Sequence, residues 1–546
     1  MTTRVTNNKH PDSKLALELY PHQREAVGFL CDKLEQDRWG CLIHDAGLGK
    51  TATILRTWAE LKKKVPNLRL IISCPACTLR AVWDEHIRVW LRTKRLRVLV
   101  VDRLKVLETE DPREYDITII TRNLVAATFS RSWKWVEKSE WAQKSNGRWY
   151  QRGSFVHKYE ASGLFKTSRD RPALLVIDEA HYLRNFGRKK VCLQAHHEMA
   201  KHCEYGILNT ATPVCNRPED VAGQLYGIGL DCNETVEESV RLLAEPKQWK
   251  VGKFTINVVA VNAFNANCHR RTEDILSLPQ LTTHVCEFQW ASALTDKYKE
   301  EYNQLLEEAR EIRAQMKSDG EVDLELLRRM LNALTRMGQM IVHPKLFKHG
   351  AKGLEAKHRR QIARTPSPML NRCSALVQQL SGEGHTKLVI FGMHSNSVMD
   401  LVKTRLMIDC PDAHYDMYHG GLTQDERAGV VARFLAPSDQ LQVLFIQMVA
   451  GGVGLNLVPG PTAAIFIQQS WNPMDHLQAY KRIHRIGQTE NVQIYNVVGL
   501  GTPDDAMRQI HEDKIVASDA VVNGKGLGDN PWRTKGRAVD LCLLAE

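Results

Sequence analysis

Residues 41–51 read CLIHDAGLGKT, and they indicate how the first half of the chain folds. A short apolar run, Cys41–Ile43, leads into a glycine-containing loop that ends in Lys50 and Thr51, and a helical pattern follows. A phosphate-binding loop needs this strand–loop–helix order, because N–H groups at the start of the helix point at phosphate oxygens. The strict pattern begins with glycine, where this chain has His44. We therefore predict a nucleotide site on a parallel α/β sheet.

The loop supplies the residue types that phosphate binding requires. Its glycines let the backbone approach the phosphates closely, and Lys50 supplies a positive charge for the β- and γ-phosphates. The Thr51 hydroxyl is suited to ligate Mg²⁺. The nucleotide-binding residues predicted in this loop are Asp45, Gly47, Leu48, Gly49, Lys50 and Thr51.

A second cluster of polar residues, Asp178-Glu179-Ala180-His181, follows the apolar run Ala173–Ile177. Asp178 would hold Mg²⁺ through water, and Glu179 would polarise the water that attacks the nucleotide. A solvated acidic loop is the alternative for this tetrapeptide taken alone. Its position after a buried strand, in a chain that also carries Lys50, favours an ATPase.

Short apolar runs alternate with helical stretches and fall into two sets, which predicts two α/β sheets in one chain. The first set is residues 41–43, 70–72, 98–101, 117–120 and 174–177, and the second is residues 388–391, 443–446, 464–467 and 492–498. Between the sets, residues 298–316 and 324–341 have apolar side chains at helical spacing. We predict an antiparallel helical pair outside the sheets, joined by a turn at Asp319-Gly320 and followed by a basic linker at 348–368.

Composition narrows the class of protein. Of 546 residues, 43 % are hydrophobic and 25 % charged, which is typical of a folded chain and excludes a wholly disordered one. No apolar run reaches the length of a membrane span, and Met1–Lys14 lacks the apolar stretch of a secretory signal. The 13 scattered cysteines favour a reducing compartment, and the net charge of +11 modestly favours polyanionic partners.

Residues 130–171 differ from the rest of the first half, because they hold four of the 12 tryptophans among many lysines and arginines. Basic residues interleaved with aromatic ones can track a nucleic-acid backbone. A surface insertion whose indoles pack on the parent lobe is the favoured interpretation, and both remain open at this point.

Two of the segments described above, together with a third near the end of the second set of strands, resemble a known family. Lys50 and Asp178–His181 resemble motifs I and II of the superfamily-two helicase-like ATPases. The segment Gln478–Gln488, which ends in His-Arg-Ile-Gly-Gln, resembles the SWI/SNF (sucrose-non-fermenting) family and is far more specific than the phosphate loop. The resemblance covers about residues 19–498.

The resemblance implies an α/β fold of two RecA-like parallel-sheet lobes in tandem with an inserted helical protrusion. We expect the first lobe over residues 1–290, the protrusion and linker over 291–368, the second lobe over 369–512 and a tail over 513–546. The implied activity is ATP hydrolysis, stimulated by duplex DNA and coupled to translocation, which would remodel chromatin or other protein–DNA complexes. ATP, Mg²⁺ and a nuclear location are implied with it.

Further site residues also follow from the resemblance. Gln23 is placed on the adenine, and the family's cycle closes the two lobes on ATP through Arg482 and Arg485, which lie three apart on a predicted helix. The remaining nucleotide-binding candidates are Gly454 and Gln478. The candidates for DNA contact are Thr121, Gln447, Gly451 and Gly452.

The chain departs from the family just before its second-lobe glycines. A pair of small hydroxyl residues followed by arginine is usual there, and this sequence has Gln447-Met448-Val449. Two other functions share the same ATP site. One is a strand-separating RNA or DNA helicase, and the other is a catalytically weak scaffold that would have lost Lys50, Glu179 or Arg485. All three of those residues are present.

Overall fold

The computed structural model describes residues 18–45, 47–91, 95–143, 149–159, 163–166, 170–183, 191–213, 220–229, 264–272, 278–290, 296–318, 324–343, 346, 360, 362–364, 367–393, 396–448, 455–470, 473–505 and 507–508, with 133–143 and 149–159 described by their backbone. Internal contacts divide the chain into two units. The main body of the first unit ends at Thr272, and the second continues from Glu273.

The first unit is built on a seven-stranded parallel sheet in the order β3-β4-β2-β7-β8-β1-β9. Its strands are β1 (Trp39–His44), β2 (Arg69–Cys74), β3 (Val98–Val101), β4 (Ile117–Thr121), β7 (Ala173–Asp178), β8 (Tyr205–Asn209) and β9 (Cys268–Arg271). Its helices are α1 (Pro21–Asp37), α2 (Lys50–Lys64), α3 (Glu85–Leu91), α4 (Val106–Thr109), α5 (Arg122–Arg131), α6 (Val191–Lys201) and α7 (Asp220–Gly227).

All five strands predicted in this half are present. Four of them, β1, β2, β4 and β7, are buried along their whole length, and β3 at the sheet edge is buried at alternate residues. The sequence did not predict β8 or β9. Strand β9 reads CHRR and has no apolar run, so its place beside β1 depends on backbone pairing that the sequence pattern does not reveal. Between α5 and β7 the chain forms a separate antiparallel hairpin, β5 (Trp133–Gln143) and β6 (Trp149–Tyr159).

The second unit is built on a six-stranded parallel sheet in the order β10-β15-β14-β11-β13-β12. Its strands are β10 (Leu281–Gln289), β11 (Lys387–Gly392), β12 (His414–Tyr418), β13 (Gln442–Gln447), β14 (Ala463–Phe466) and β15 (Val492–Leu500). Its helices are α8 (Asp296–Ser318), α9 (Leu324–Val342), α10 (Pro368–Gly382), α11 (Asn396–Asp409), α12 (Gln424–Leu435) and α13 (Pro473–Tyr480).

The domain boundary expected at residue 290 is wrong. Strand β10 pairs with β15 along its full length, from Leu281 opposite Val492 to Gln289 opposite Leu500, so it belongs to the second sheet. The second unit therefore begins before β10. The alternating exposure of β10 side chains explains why its sequence shows no buried run.

The helical pair is present as α8 and α9, and Arg329 of α9 forms an ion pair with Glu308 of α8 at 3.2 Å. The pair lies outside both sheets, as predicted, and Tyr302 and Met337 belong to a hydrophobic core that extends to Phe445 of β13. The predicted turn at 319–320 lies outside the described residues, as do most of the linker and all of the tail. None of the described helices is long and apolar enough to span a membrane.

Candidate functional site

The carboxyl ends of three adjacent strands, β7, β8 and β1, bring the first set of predicted residues together. Strand β7 ends at Asp178, β8 ends at Asn209, and β1 ends at His44, where the phosphate loop begins. In open parallel sheets, ligands bind beyond the carboxyl ends of the strands. The sheet order therefore places the acidic residues and the phosphate loop on one edge, as the sequence predicts.

The phosphate loop is held closed by its own lysine. Lys50 Nζ donates to the carbonyl oxygens of His44 at 2.8 Å and Asp45 at 3.2 Å. Gly47 and Gly49 have φ values of 93° and 73°, in the left-handed region that favours glycine. Gly49 is also the residue just before helix α2, so the loop turns directly into the helix N-terminus. This conformation is suited to bind an anion through backbone N–H groups.

Gln23 contacts the phosphate loop directly. Its Nε2 donates to the carbonyl oxygens of Leu48 at 3.3 Å and Gly49 at 3.2 Å, and its Oε1 accepts from the N–H of Tyr20 at 2.8 Å. A Cβ atom at position 49 would collide with Nε2, which gives a second reason for glycine there. The role of Gln23 on the adenine stays a prediction, and the amide links α1 to the loop.

Three histidines lie under the loop, a feature that the sequence analysis missed. His44 is fully buried, and its Nε2 lies 2.9 Å from Nδ1 of His269 on β9. His22 Nε2 donates to the Leu48 carbonyl at 3.1 Å. Glu25 lies 3.7 Å from His269 Nε2, which favours a proton on that nitrogen and leaves Nδ1 to accept from His44. The sequence signal for this histidine cluster was His44 in place of the first glycine. It could not be interpreted from the sequence, because its partner His269 is 225 residues away.

The His44–His269 pair gives a testable expectation. His269→Ala would leave the buried Nε2 of His44 without its acceptor, which costs about 1–3 kcal/mol of the free energy of unfolding. Burial lowers the pKa of both imidazoles, and that of His44 to about 2, so the native pair is neutral. Since unfolded histidine protonates near pH 6.5, these groups stabilise the chain above that pH and lose the contribution as the pH falls below it.

Urea titrations at pH 7.5 and pH 5.5 measure this effect. A double-mutant cycle with His44→Ala should give a coupling energy of about 0.5–1.5 kcal/mol at pH 7.5. His202→Ala is the matched control, because His202 is also on the first unit but only partly buried. A coupling energy near zero would show that the two imidazoles do not stabilise each other.

Asp178 is buried and held by three neutral donors. Trp83 Nε1 donates to Oδ2 at 2.8 Å, Asn209 Nδ2 donates to Oδ1 at 2.6 Å, and the N–H of Glu179 donates to Oδ1 at 3.0 Å. Burial, and to a smaller extent the Glu179 carboxylate, raise the pKa of Asp178 to about 6, while the hydrogen bonds from Trp83 and Asn209 and the charge of Lys50 act in the opposite direction. The sequence analysis gave no role to Asn209, although it ends the strand next to Asp178.

Glu179 has an unusual backbone conformation. Its φ is 51°, which costs a non-glycine residue energy and is often found at functional sites. Its Oε2 lies 3.3 Å from Nδ1 of His181, and the same nitrogen lies 3.0 Å from the hydroxyl of Thr210 after β8. Thr210 in turn accepts from the Thr212 N–H at 3.1 Å. This chain of contacts connects the end of β7 to the end of β8.

The two arginines of the second unit do not lie on a helix, which corrects the sequence prediction. Helix α13 ends at Tyr480, and residues 481–487 form turns. Gly487 has a φ of 100°, and Gln488 Nε2 donates to the carbonyls of Ile483 at 3.0 Å and Pro461 at 3.2 Å. The glycine and glutamine that end the family-like segment therefore fix the shape of this turn.

Arg482 and Arg485 differ in what they contact. Arg482 is buried, and its Nη1 lies 3.5 Å from the Leu455 carbonyl. Arg485 is partly exposed, burial lowers its guanidinium pKa, and the guanidinium has no hydrogen bond or ion pair within the described part of the chain. Gln478 is buried on α13. Within the described residues, the guanidinium of Arg485 thus has donors that form no hydrogen bond, which suits it to an anionic ligand.

The predicted DNA contacts are only partly described. Thr121 is buried and caps helix α5, since its Oγ1 accepts from the Leu124 N–H at 3.3 Å. Gln447 is the last residue of β13, and Met448 beside it is buried, so the apolar departure from the family serves the core. The predicted residues Gly451, Gly452 and Gly454 lie outside the described residues.

Comparisons with known proteins agree with this architecture. A family model described as SNF2-related domain matches residues 22–346, and one described as helicase conserved C-terminal domain matches residues 371–487. The chain is 23 % identical to the chromodomain-helicase-DNA-binding protein 3 homolog of Caenorhabditis elegans, over 93 % of this chain and 27 % of that protein. It is 24 % identical to the DNA repair and recombination protein RAD54-like of Danio rerio, over 94 % of this chain and 68 % of that protein.

The chain therefore spans about a quarter of the first of these relatives. The solved Sulfolobus solfataricus SWI2/SNF2 ATPase core in complex with dsDNA is 21 % identical, with 95 % of each chain covered and a TM-score of 0.37.

Two successive parallel sheets, with a match to the SNF2-related domain that begins on the first and a match to the helicase conserved C-terminal domain on the second, define a helicase-like protein. The SNF2-related model matches more than half of the chain, and the chain belongs to the SNF2-related family.

Proposed function

We propose that this chain is an ATPase stimulated by duplex DNA, which it uses to translocate along DNA and to remodel chromatin or other protein–DNA complexes. The observation that carries the proposal is the set of residues at the carboxyl edge of the first sheet. Lys50 at the start of α2, buried Asp178 and Glu179 at the end of β7 are the cation, metal carboxylate and base that phosphoryl transfer to water needs.

Asp178 and Thr51 fit a hydrated Mg²⁺ ion. Both offer hard oxygen ligands, and the three donors that orient Asp178 are neutral, so they fix the carboxylate without cancelling its charge. Mg²⁺ would neutralise charge on the phosphate oxygens.

The protein groups have separate tasks in the proposed hydrolysis. Backbone N–H groups of the loop orient the phosphates, and Lys50 exchanges its two carbonyl acceptors for phosphate oxygens. Glu179 accepts the proton of the attacking water, and His181, which contacts Thr210, lies beside its carboxylate. We propose that Arg485 stabilises the charge that develops on the γ-phosphate, with Arg482 shaping the turn that presents it.

Duplex DNA is the proposed partner because the relatives named above carry DNA binding, DNA repair and recombination in their names, and the net charge of +11 suits a polyanion. Contacts to phosphate and sugar should dominate, with little reading of the bases. A nuclear location is proposed on the same grounds.

Steady-state ATP hydrolysis by the full chain, measured with no nucleic acid, duplex DNA, single-stranded DNA or RNA, tests the proposal. We expect duplex DNA to stimulate most strongly, and the stimulation to fall steeply as salt rises from 50 to 200 mM, as it does for phosphate contacts. A preference for RNA or single strands would favour a strand-separating helicase. Nucleotide binding without hydrolysis under any condition would favour a scaffold.

A further inference from the structure

The hairpin β5–β6 is an unusual connection in the first unit. It joins α5 to β7 through two antiparallel strands that pair from Trp133 opposite Tyr159 to Gln143 opposite Trp149. It forms a two-stranded sheet of its own, separate from both parallel sheets. Helix α5 leads directly into its first strand, β5. Neither the nucleotide site nor the DNA contacts predicted above use it.

The register separates two kinds of residue onto opposite faces. Residues directly opposite each other share a face, and successive residues alternate, so the odd-numbered positions of both strands form one face and the even-numbered positions form the other. The odd-numbered face carries the aromatic residues Trp133, Trp135, Trp141, Trp149, Phe155 and Tyr159. The even-numbered face carries the cationic residues Lys134, Lys138, Arg152 and Lys158, with Glu140 as its one acidic residue.

This separation depends on the register as well as on the sequence. A slip of one residue in the pairing would place the cations of one strand on the same face as the tryptophans of the other. With the observed register, every cation of the two strands lies on one face and every tryptophan on the other. The even-numbered face holds four cations and one acidic residue, whereas the odd-numbered face holds one acidic residue and neither lysine nor arginine. The even-numbered face is therefore the one whose charge is complementary to a polyanion.

We propose that the even-numbered face of this hairpin is a second nucleic-acid contact, which binds the phosphate backbone of duplex DNA. The face combines lysine and arginine with Ser154 and Tyr150, all residue types that bind phosphate oxygens. Lys134 lies opposite Lys158, and Arg152 lies opposite Glu140, six residues further along the first strand. At roughly 6.7 Å for every two residues, the cations extend over about 20 Å. That length corresponds to about six base pairs of duplex.

The contact is separate from the one predicted at the carboxyl edge of the sheet. Thr121 ends β4 at that edge, and α5 has 10 residues, about 15 Å, in which to run back toward the opposite edge before the hairpin begins. The hairpin therefore provides a contact with DNA that does not require the ATP site.

Nucleotide-free binding of the full chain to a fluorescent 30-base-pair duplex, measured at several salt concentrations, tests the proposal. The test variant replaces Lys134, Lys138, Arg152 and Lys158 with glutamine. We expect about a tenfold or greater loss of affinity, and a decrease of about 3–4 in the slope of log K against log salt, since each phosphate contact contributes about 0.9. A second variant with arginine at the three lysine positions should keep the slope.

The matched control replaces four exposed cations elsewhere on the first unit, Arg56, Lys63, Lys64 and Arg97, with glutamine and changes the net charge equally. An equal loss in the control and the test variant would show that net charge, and not the hairpin, sets the affinity. Unchanged binding in the test variant would also overturn the proposal. A loss confined to Trp135→Leu and Trp141→Leu variants would place the nucleic acid on the aromatic face instead.

The binding measurement contains no ATP, so its outcomes are distinguishable from those that test the proposed ATPase. A chain without hydrolysis can still show the hairpin's salt dependence, and a DNA-stimulated ATPase can still lack it. Thermal unfolding of each variant identifies any loss of affinity that comes from loss of the fold.

Discussion

Replacing Glu179 with glutamine is expected to lower the rate of ATP hydrolysis by about 10²–10⁴-fold while leaving ATP bound. Glutamine keeps the size and shape of the side chain but cannot accept a proton from water. The backbone conformation at this position should survive, because the φ of 51° does not depend on a carboxylate. The expected result is therefore a loss in kcat with little change in the affinity for ATP.

Two measurements separate hydrolysis from binding. Steady-state turnover at saturating duplex DNA gives kcat, and equilibrium titration with a fluorescent ATP analogue gives the affinity. Glu114→Gln is the matched control, since Glu114 is exposed on the same unit and lies far along the chain from the phosphate loop. If Glu179→Gln kept a kcat within a fewfold of the parent, another group would have to act as the base.

The phosphate loop could be predicted from the sequence because its information is local. The apolar run before it, the glycines within it and the lysine at its end lie within 11 consecutive residues, 41–51. The same holds for Asp178 and Glu179, which follow a buried strand directly. The parallel order of β7, β8 and β1 then brings both to one edge, which is a consequence of the fold class.

The features that the sequence did not predict depend on pairing over long distances along the chain. Strand β9 has polar residues, and its place beside β1 brings His269 to His44. Strand β10 alternates in exposure and pairs with β15, about 210 residues later, so a boundary drawn from apolar runs falls too late. Periodicity reports which face of an element is buried, but it does not report the neighbour that buries it.

The shape of the turn after α13 was also not predicted from the sequence. It is set locally, but by side-chain hydrogen bonds that residue spacing does not reveal. A spacing of three suggested that Arg482 and Arg485 share a helical face, whereas the helix ends at Tyr480. Gln488 closes the turn by donating to two carbonyls and accepting from the N–H groups of Thr489 at 3.0 Å and Glu490 at 3.2 Å. As a result the two arginines have different surroundings, and substitutions at the two positions should have different effects.

Arg485→Ala is expected to lower kcat for DNA-stimulated ATP hydrolysis by about 10³-fold or more, the usual value of an arginine that stabilises the transferring phosphoryl group. Its guanidinium has no hydrogen bond or ion pair within the described residues, so its removal breaks none there and should change the free energy of unfolding by less than about 1 kcal/mol. Arg482→Ala, in contrast, removes a buried side chain next to the Leu455 carbonyl and should lower both kcat and stability.

Arg485→Lys distinguishes a phosphate ligand from a general charge effect. Lysine keeps the charge but cannot span two phosphate oxygens, so we expect it to restore only part of the lost rate. Arg433→Ala is the control in the second unit, because Arg433 is exposed and paired with Asp416 at 2.9 Å. Turnover measurements and urea unfolding of all four variants give the comparison. A large loss of stability in Arg485→Ala, or a kcat close to that of Arg433→Ala, would mean that the Arg485 guanidinium does not bind the γ-phosphate.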